Sequence, residues 1–348
     1  MEYEDLTIAC YDVTEQERDY LERQLAARLP GATVILRDGP LTAETAGPES
    51  ERVTHLCVFI HSRVDAATLE RFPALRGVAT RSTGYDHIDL ATCAARDIAV
   101  STVPRYGENT VAEHTFALIL DLARNIHKAY ARTVTGDFHL EGLMGFDLKG
   151  RTLGVIGVGS IGLHVIRIAR AFGMRVVAYD VRPSTLMAEV LDFSYASLEE
   201  TLAQADIVTL HAPALPSTHH LINRERLQLM KRGALLINTA RGSLVDTEAL
   251  LWALNAGILA GVGLDVLEGE ELITEDMALL ARNEQQATEE QLRTVLRANA
   301  LLRRPDVVIT PHIAFYSQEA LRRILDTTAS NLGAMADGAP ENLAKMRA

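Results

Sequence analysis

The hydrophobic and polar positions of the chain change repeatedly between the period of a strand and the period of a helix. Residues 1 to 104 contain short β-rich runs separated by helical patterns, which is typical of a parallel sheet. A second alternation starts near Leu153 and contains six strand-like runs, enough for a complete nucleotide-binding sheet. The runs of the two regions are TIACYD, TVILR, HLCVFI, LRGVAT and IAV, then TLGVIG, RVVAYD, DIVTL, ALLINT, GVGLDV and VVITP.

Two helical segments connect these regions. The segment from about Asn109 to Ala131 has apolar residues at helical spacing and predicts one long bridging helix. The last helical segment, SQEALRRILDTTASNLGAM, follows the sixth strand, so we expect the chain to return and pack on the first domain. The sequence therefore predicts an α/β protein of two Rossmann-like or flavodoxin-like domains with parallel sheets and a cleft between them. The expected boundaries are residues 1–106 plus 313–348 for a discontinuous domain and residues 107–312 for the other.

Charge narrows the classes of partner. The chain has 348 residues, a length suited to two domains, and a formal net charge of −12. With 46 acidic against 34 basic residues, a broad basic surface for nucleic acid or anionic lipid is not expected. Local groups must therefore capture any anionic substrate.

Cysteine usage and the start of the chain bear on location. Cys10, Cys57 and Cys93 are scattered without metal-ligand spacing, so we expect buried thiols in a reducing cytosol. The acidic start MEYEDL does not resemble a signal peptide, and the apolar run near FALIL is cut by Asp121. We therefore expect a cytoplasmic protein without a membrane segment.

An acidic stretch follows the fifth strand of the second region. Residues 268 to 290 carry eight acidic residues and one basic residue, and a helical pattern comes after them. This composition favours a solvated insertion.

The stretch GVIGVGSIG, residues 154–162, contains a G-x-G-x-x-G pattern formed by Gly157, Gly159 and Gly162. Alone the pattern is weak evidence, but here it follows a strand and opens the helix SIGLHVIRIARAF. The amides and dipole at the start of that helix favour a pyrophosphate without any lysine. Because a methyltransferase can use a related loop, the pattern does not by itself establish hydride transfer.

Asp180 ends the next strand, 23 residues after Gly157. A carboxylate there accepts the ribose hydroxyls and repels a 2′-phosphate, which predicts NAD rather than NADP. Arg182 leaves NADP open, since its guanidinium is able to bind a phosphate. The region 107–312 is thus the expected NAD-binding Rossmann domain, and the discontinuous one the substrate (catalytic) domain.

Three side chains at strand ends suit the reduction of a 2-oxo acid. Arg241 follows the fourth strand of the second region, and its planar fork suits a carboxylate. Glu270 and His312 follow the fifth and sixth strands, so all three project from one sheet edge. A carboxylate beside an imidazole favours the protonated ring, which keeps a proton donor available for the carbonyl oxygen. A solvated carboxylate and an ordinary loop histidine are the alternatives for Glu270 and His312.

Seven segments in their order along the chain resemble the D-isomer-specific 2-hydroxyacid dehydrogenases, most closely those of the D-lactate type. The similarity covers about residues 75 to 325. The segments are RSTGYDHIDL, VAEHTFALIL, GVIGVGSIG, VVAYD, INTARGSLVDTEAL, GVGLDVLEGE and ITPHIAFYSQEAL.

The resemblance implies a role for each matching residue. It implies Arg241 as the anchor of the substrate, His312 as the acid/base, Glu270 as its partner, and an active-site cleft between the domains. It also implies substrate contacts from the amides of Thr83 and Gly84 and the hydroxyl of Tyr106. The implied cofactor-binding residues are Gly157, Gly159, Ser160, Ile161, Gly162, Asp180, His211, Pro213, Thr239, Ala240 and Asp265. His211 as a strand cap and Asp265 as a holder of backbone amides remain alternatives.

The resemblance also implies a homodimer and a small substrate. Phe315 and Tyr316 follow the His312 loop and leave room for a small side chain, which favours pyruvate. Hydroxypyruvate, glyoxylate, phenylpyruvate and phosphoglycerate types are the alternatives, and a non-catalytic NADH-sensing corepressor is a further one. Residues 271–303 form a longer segment than in many members of the family.

Overall fold

The computed structural model describes residues 3–270 and 288–345, and the chain forms two compact units. Unit 1 comprises Met1–Tyr106 and Ser317–Ala348, and unit 2 comprises Gly107–Tyr316. Both units are built on parallel sheets, which confirms the predicted α/β class.

Unit 1 has a five-stranded parallel sheet in the order β2-β1-β3-β4-β5. Its strands coincide with the five β-rich runs of the first region. They are β1 (Thr7–Cys10), β2 (Thr33–Leu36), β3 (His55–Val58), β4 (Gly77–Thr80) and β5 (Ala99–Ser101).

The helices of unit 1 come from both ends of the chain. They are α1 (Glu15–Arg28), α2 (Ala66–Glu70), α3 (Leu90–Ala95) and α12 (Gln318–Ala336). Helix α1 begins with a capping box between Thr14 and Glu17. Leu325, Ala329 and Leu332 of α12 are buried in the same apolar cluster as the leucines of α1. The core of unit 1 therefore includes a helix encoded after the whole of unit 2.

Unit 2 has, in its described residues, a seven-stranded parallel sheet in the order β12-β11-β10-β9-β6-β7-β8. The chain order reverses beside β6, and ligands of such sheets bind at the carboxyl ends of the strands near that point. The strands are β6 (Thr152–Ile156), β7 (Arg175–Tyr179), β8 (Ser194–Tyr195), β9 (Ile207–Leu210), β10 (Ala234–Asn238), β11 (Leu259–Leu264) and β12 (Val307–Ile309).

Helices cover this sheet and complete two apolar clusters, one with α4 and α6 and one with α8, α9 and α10. Their bounds are α4 (Glu108–Arg124), α5 (Ile126–Val134), α6 (Ser160–Ala171), α7 (Thr185–Leu191), α8 (Leu198–Gln204), α9 (Arg224–Leu229), α10 (Thr247–Asn255) and α11 (Glu289–Leu302).

Two sequence predictions for unit 2 need correction. The expected single helix over 109–131 is two helices, because Asn125 takes a left-handed conformation with φ +51° and ends α4. Asn125 tolerates this conformation, and its side-chain amide donates to the Met144 carbonyl at 3.2 Å. The predicted six-strand sheet has a seventh member, since the two-residue strand β8 pairs with β7.

Most of the predicted solvated insertion, residues 271–287, lies outside the described residues.

His55 makes the stability of unit 1 depend on pH. The side chain is buried in β3 with Nδ1 3.1 Å from Thr54 Oγ1, and burial together with the charge of Arg76 lowers its pKa to about 4. An unfolded histidine has a pKa near 6.5, so the unfolded state binds the proton first as the pH falls. The stabilisation is full above pH 6.5 and is lost between pH 6.5 and 4.

We therefore expect the free energy of unfolding of the wild type to fall by about 2–3 kcal/mol more than that of His55→Gln between pH 7 and pH 4.5. Urea denaturation followed by circular dichroism measures this difference. The exposed His139, changed to Gln, is the matched control and should behave as the wild type. An equal pH dependence in His55→Gln and the wild type would refute the assignment.

Candidate active site

The glycine loop joins β6 to α6 through two close backbone contacts. Gly157 has φ +94°, and a Cβ there would lie 2.7 Å from the His211 carbonyl carbon. A Cβ on Gly162 would lie 2.2 Å from the Gly157 carbonyl oxygen. Gly159 faces open space, with no heavy atom within 4 Å of the corresponding position. The first and third glycines therefore hold the turn, and the second leaves room for a ligand.

The first turn of α6 offers unpaired donors. Gly159 is its N-cap and supplies no side-chain cap, and the amides of Ser160 and Ile161 have no acceptor in the described part of the chain. These amides and the positive end of the helix dipole fit a pyrophosphate group. Asp180 fixes the loop from β7, because its carboxylate accepts 2.7 Å hydrogen bonds from the amides of Val158 and Arg182.

His211 follows β9 with its Nε2 2.9 Å from Thr209 Oγ1. Burial of the ring lowers the pKa of His211 to about 3, so it is neutral at physiological pH. Its Nδ1 is buried and has no hydrogen-bond partner among the described residues, as is expected of an atom that awaits a ligand or water. Pro213, two residues on, is exposed and accepts a 2.7 Å hydrogen bond from Thr218 through its carbonyl.

Thr239, Ala240 and Arg241 follow β10 in a loop held by Asn238. The Asn238 amide accepts from the Ala240 N–H at 3.1 Å and donates to the Arg241 carbonyl at 2.8 Å. The hydroxyls of Thr239 and Thr115 lie 2.9 Å apart and tie the loop to α4. The loop is thus fixed on both sides of its arginine.

His312 and Glu270 form a hydrogen-bonded pair at the adjacent strand ends. His312 Nδ1 lies 2.7 Å from Glu270 Oε1, and both side chains are partly exposed. Burial by itself raises the pKa of Glu270, but the hydrogen bond and the charge of His312 outweigh it and lower the pKa from its ordinary value. The Leu267 amide, which donates to Oε2 at 3.1 Å, and the charge of Arg241 lower this pKa further.

An ionised carboxylate only accepts hydrogen bonds, so Nδ1 of His312 carries the shared proton and Nε2 remains for another partner. The charge of Arg241 acts on the same carboxylate, and all three side chains follow neighbouring strands. The structure therefore brings together the three residues that the sequence analysis selected for proton transfer and anion binding.

Asp265, at the end of β11, holds the backbone of the His312 loop. Its Oδ1 accepts from the Thr310 hydroxyl at 2.6 Å and the Ile313 amide at 2.9 Å, and its Oδ2 accepts from the Ala314 amide at 2.9 Å. The Asp265 carbonyl accepts the His312 amide at 2.9 Å. His312 itself has φ +53°, a conformation that a histidine keeps only where its surroundings enforce it.

His114, on α4, extends this network. Its Nε2 lies 3.0 Å from Thr310 Oγ1 and 3.5 Å from Asp265 Oδ1. Neither His114 nor Thr310 is among the site residues predicted from the sequence. The hydrophobic pattern of α4 contained no signal for this contact, because it depends on how the helix packs on β11 and β12.

Gly242 controls the distance between the Arg241 loop and the Glu270 loop. A Cβ at position 242 would lie 2.0 Å from the Leu267 carbonyl oxygen and 2.5 Å from the Glu268 amide nitrogen. Gly242 is not among the residues predicted from the sequence, although a glycine next to a candidate catalytic arginine was an available signal.

Four residues predicted to bind the substrate remain, three in unit 1 and one in unit 2. In unit 1, Thr83 Oγ1 donates to the Val103 carbonyl at 2.7 Å, and the amides of Thr83 and Gly84 have no acceptor among the described residues. The Tyr106 carbonyl accepts a hydrogen bond from Arg323. In unit 2, the Phe315 ring meets the His312 ring edge to face at 6.5 Å.

Comparisons with known proteins identify the family of the chain. The sequence profile of the D-isomer specific 2-hydroxyacid dehydrogenase NAD-binding domain matches residues 116–314. The chain belongs to this family. Its fold is similar to the pyruvate reductase of Chlamydomonas reinhardtii, with a TM-score of 0.85, 35% identity and coverage of 97% of this chain and 98% of that one.

Two other relatives have names that give different substrates. The D-lactate dehydrogenase of Aquifex aeolicus, solved with NAD and lactic acid, is 34% identical with a TM-score of 0.82 over 95% of this chain and 96% of that one. An aromatic 2-oxoacid reductase of Clostridium sporogenes is 37% identical over 74% of this chain and 75% of its own.

As a D-2-hydroxyacid dehydrogenase, the protein is an NAD-dependent oxidoreductase that acts on the CH–OH group of 2-hydroxy acids. The resemblance stated from the sequence is confirmed, and so is NAD as the cofactor. In the part of the chain that the structure describes, no helix has both the length and the apolar composition needed to cross a membrane.

Replacing Gly242 with Ala should lower the activity with a 2-oxo acid by about 100-fold, because the new Cβ forces the Arg241 and Glu270 loops apart. Steady-state kinetics measure this loss, and NADH fluorescence should show cofactor binding close to wild type. Gly39→Ala is the matched control, since a Cβ there meets nothing within 4 Å. Full activity in Gly242→Ala would contradict the role given to this contact.

Proposed function

We propose that this dehydrogenase reduces a small 2-oxo acid, pyruvate first, to the D-2-hydroxy acid. The observation that carries the proposal is the 2.7 Å pair between His312 Nδ1 and the ionised Glu270 carboxylate, beside the charge of Arg241. This set contains a proton donor, the group that stabilises it and an anion anchor. Reduction of the keto group of a 2-oxo acid needs these three functions.

His312 is the acid in this mechanism. With Nδ1 engaged by Glu270, its Nε2 donates a proton to the substrate oxygen as C2 is reduced, and accepts it back in the reverse direction. Glu270 stabilises the imidazolium before the transfer and fixes the orientation of the ring. The Asp265 contacts with the Ile313 and Ala314 amides hold the loop that carries this ring.

Arg241 binds the substrate carboxylate and polarises its carbonyl oxygen. A planar guanidinium offers paired donors to a carboxylate, which fixes the direction of C2 as well as the charge. Its backbone is fixed by Asn238. We further propose that the amides of Thr83 and Gly84 and the hydroxyl of Tyr106 contact the substrate, so that unit 1 is the substrate domain.

Unit 2 is then the cofactor domain. The open space at Gly159 and the unpaired amides of Ser160 and Ile161 fit the pyrophosphate of NAD, and Asp180 suits the adenosine ribose. His211, Pro213, Thr239, Ala240 and Asp265 are the remaining residues that we assign to the cofactor side. When bound, NADH supplies the hydride for C2.

Pyruvate is favoured because the rings of Phe315 and Tyr316 follow the His312 loop, with 6.5 Å between the His312 and Phe315 rings. Large rings beside the proton donor leave space for a small substrate side chain. The likeness to a pyruvate reductase and to a dehydrogenase solved with lactic acid supports the same choice. An aromatic 2-oxo acid is the second candidate, supported by the likeness to an aromatic 2-oxoacid reductase.

A substrate panel tests the proposal. Pyruvate, hydroxypyruvate, glyoxylate and phenylpyruvate are assayed with NADH and with NADPH, and the configuration of each product is determined. We expect the highest kcat/KM with pyruvate and NADH, and D-lactate as the product. A preference for phenylpyruvate would support the second candidate, and tight NADH binding with negligible turnover of every acid would support a sensor instead.

Variants of the catalytic trio, Arg241, Glu270 and His312, test the residue roles. His312→Gln should lower kcat by about 10²–10⁴-fold, the usual contribution of a general acid. Arg241→Lys keeps the charge without the planar fork, so its KM for pyruvate should rise. His139→Gln and Arg232→Lys, at sites away from the trio, serve as controls. Near wild-type turnover in His312→Gln would remove that residue from the mechanism.

Glu270→Gln should move the pH profile of reduction. The lowered pKa keeps Glu270 ionised at neutral pH, and only an ionised carboxylate favours the protonated form of the acid. Because reduction needs that form, the activity falls as the pH rises. In Glu270→Gln this fall should begin at lower pH, and kcat measured from pH 5 to 9 shows it. An unchanged profile with reduced kcat would indicate a positioning role alone.

We also propose a homodimer in the cytoplasm. Ile126, Tyr130 and Val134 lie on one face of α5 at helical spacing and are 52%, 71% and 67% exposed. Phe138 and Met144, in the loop after α5, are also exposed, at 76% and 92%, and exposed apolar side chains grouped on one surface mark protein interfaces. The three cysteines are free and buried, as expected for a reducing compartment. A monomeric mass in light scattering would contradict the dimer.

A further inference from the structure

A group of three potential metal ligands lies beside the Glu270 loop. His219 and His220 precede α9, and Glu268 follows β11. One ligand atom from each residue lies within 4.8 Å of the other two, and His220 Nε2 is 2.6 Å from Glu268 Oε1. Among the described residues, these three form the group with the composition and spacing of a metal site. The catalytic mechanism uses none of them.

The backbone at His220 brings the two imidazoles to one side. His219 is extended, but His220 has φ +48°, a left-handed conformation that is strained for a non-glycine residue. In a regular helix or strand, adjacent side chains point in different directions. Here the rings stack with their centroids 4.0 Å apart and an interplanar angle of 29°.

Hydrogen bonds to the Arg241 loop hold this conformation. The His220 amide donates to the Ser243 carbonyl at 2.8 Å, and the Ile222 amide donates to the Leu244 carbonyl at 2.9 Å. The His219 amide in turn donates to the Leu215 carbonyl at 3.0 Å, so both histidines are anchored at their backbone.

The carboxylate is also oriented. Glu268 Oε2 accepts a 2.8 Å hydrogen bond from the Thr247 hydroxyl, which directs Oε1 to His220. Metal-binding carboxylates are commonly held by such an outer partner. The exposed imidazole of His219 has no hydrogen-bond partner in the described part of the chain, although its ring is fixed against His220.

We propose that His219, His220 and Glu268 form a binding site for a divalent transition-metal cation of the zinc class. Two imidazoles and one carboxylate are ligands that Zn²⁺ accepts, and three protein ligands leave a fourth position for water or an external anion. Metal–ligand bonds of about 2.0–2.2 Å place tetrahedral ligand atoms about 3.4 Å apart. The present separations reach this arrangement through side-chain shifts of about 1 Å or less, with the His220–Glu268 hydrogen bond replaced by two bonds to the metal.

The ligand set also predicts selectivity. Imidazole nitrogen favours zinc, nickel and copper, whereas magnesium and calcium require oxygen ligands. The proposal is independent of the proposed substrate and catalytic roles, because it concerns metal affinity and not turnover.

The test is isothermal titration of the full-length, tag-free protein with ZnCl₂ after dialysis against a chelator. We expect one equivalent of Zn²⁺ to bind, and 10 mM MgCl₂ not to compete. His219→Ala and Glu268→Gln should each weaken the binding by at least about 10- to 100-fold, the cost typical of losing even an outer partner of a metal ligand. His139→Ala and His164→Ala, which change histidines outside the group, should bind as the wild type.

His219→Ala is the decisive variant. It removes no hydrogen bond found in the described residues, so its melting temperature without metal should equal that of the wild type. Co²⁺ gives an independent readout, because a four-coordinate site with these ligands has visible absorption that His219→Ala should lose. Zinc affinity unchanged in His219→Ala and Glu268→Gln, or no binding at all, would overturn the proposal.

Discussion

The carboxylate of Asp265 joins the ends of two neighbouring strands and thereby sets the geometry of the active site. It accepts hydrogen bonds from Thr310 and from the amides of Ile313 and Ala314, so the loop after β12 is built around the first residue after β11. His312 is held in a left-handed conformation inside this loop, where it meets Glu270. The acid and its partner are thus positioned by a buried carboxylate that accepts hydrogen bonds from one hydroxyl and two backbone amides, which is the condition under which such a buried group is stable.

The sequence predicted the parts of the fold that depend on local pattern. All the expected strands form, because short β-rich apolar runs separated by helical patterns are typical of a parallel sheet. The break at Asn125 was missed because a left-handed asparagine leaves the helical hydrophobic pattern unchanged. The strand β8 was missed because two residues are too short to show a period.

Within the site, strand ends identified Arg241, Glu270 and His312, since parallel strands deliver their carboxyl ends to one edge. The supporting residues were harder to find. Gly242 matters because it has no Cβ, which allows the close approach of two loops. His114 and Thr310 act through contacts between elements far apart in the chain. For Asp265 the sequence left two interpretations open. The structure shows that Asp265 holds backbone amides, and its contact with the cofactor remains a proposal.

The order of the elements along the chain has a consequence for biosynthesis. Unit 2 is continuous, but the apolar cluster between α1 and the sheet of unit 1 includes Leu325, Ala329 and Leu332 of α12. A nascent chain that has left the ribosome only as far as Tyr106 therefore exposes leucines whose partners do not yet exist. During translation, unit 2 is complete in sequence first, whereas the core of unit 1 is complete only once α12 has been made.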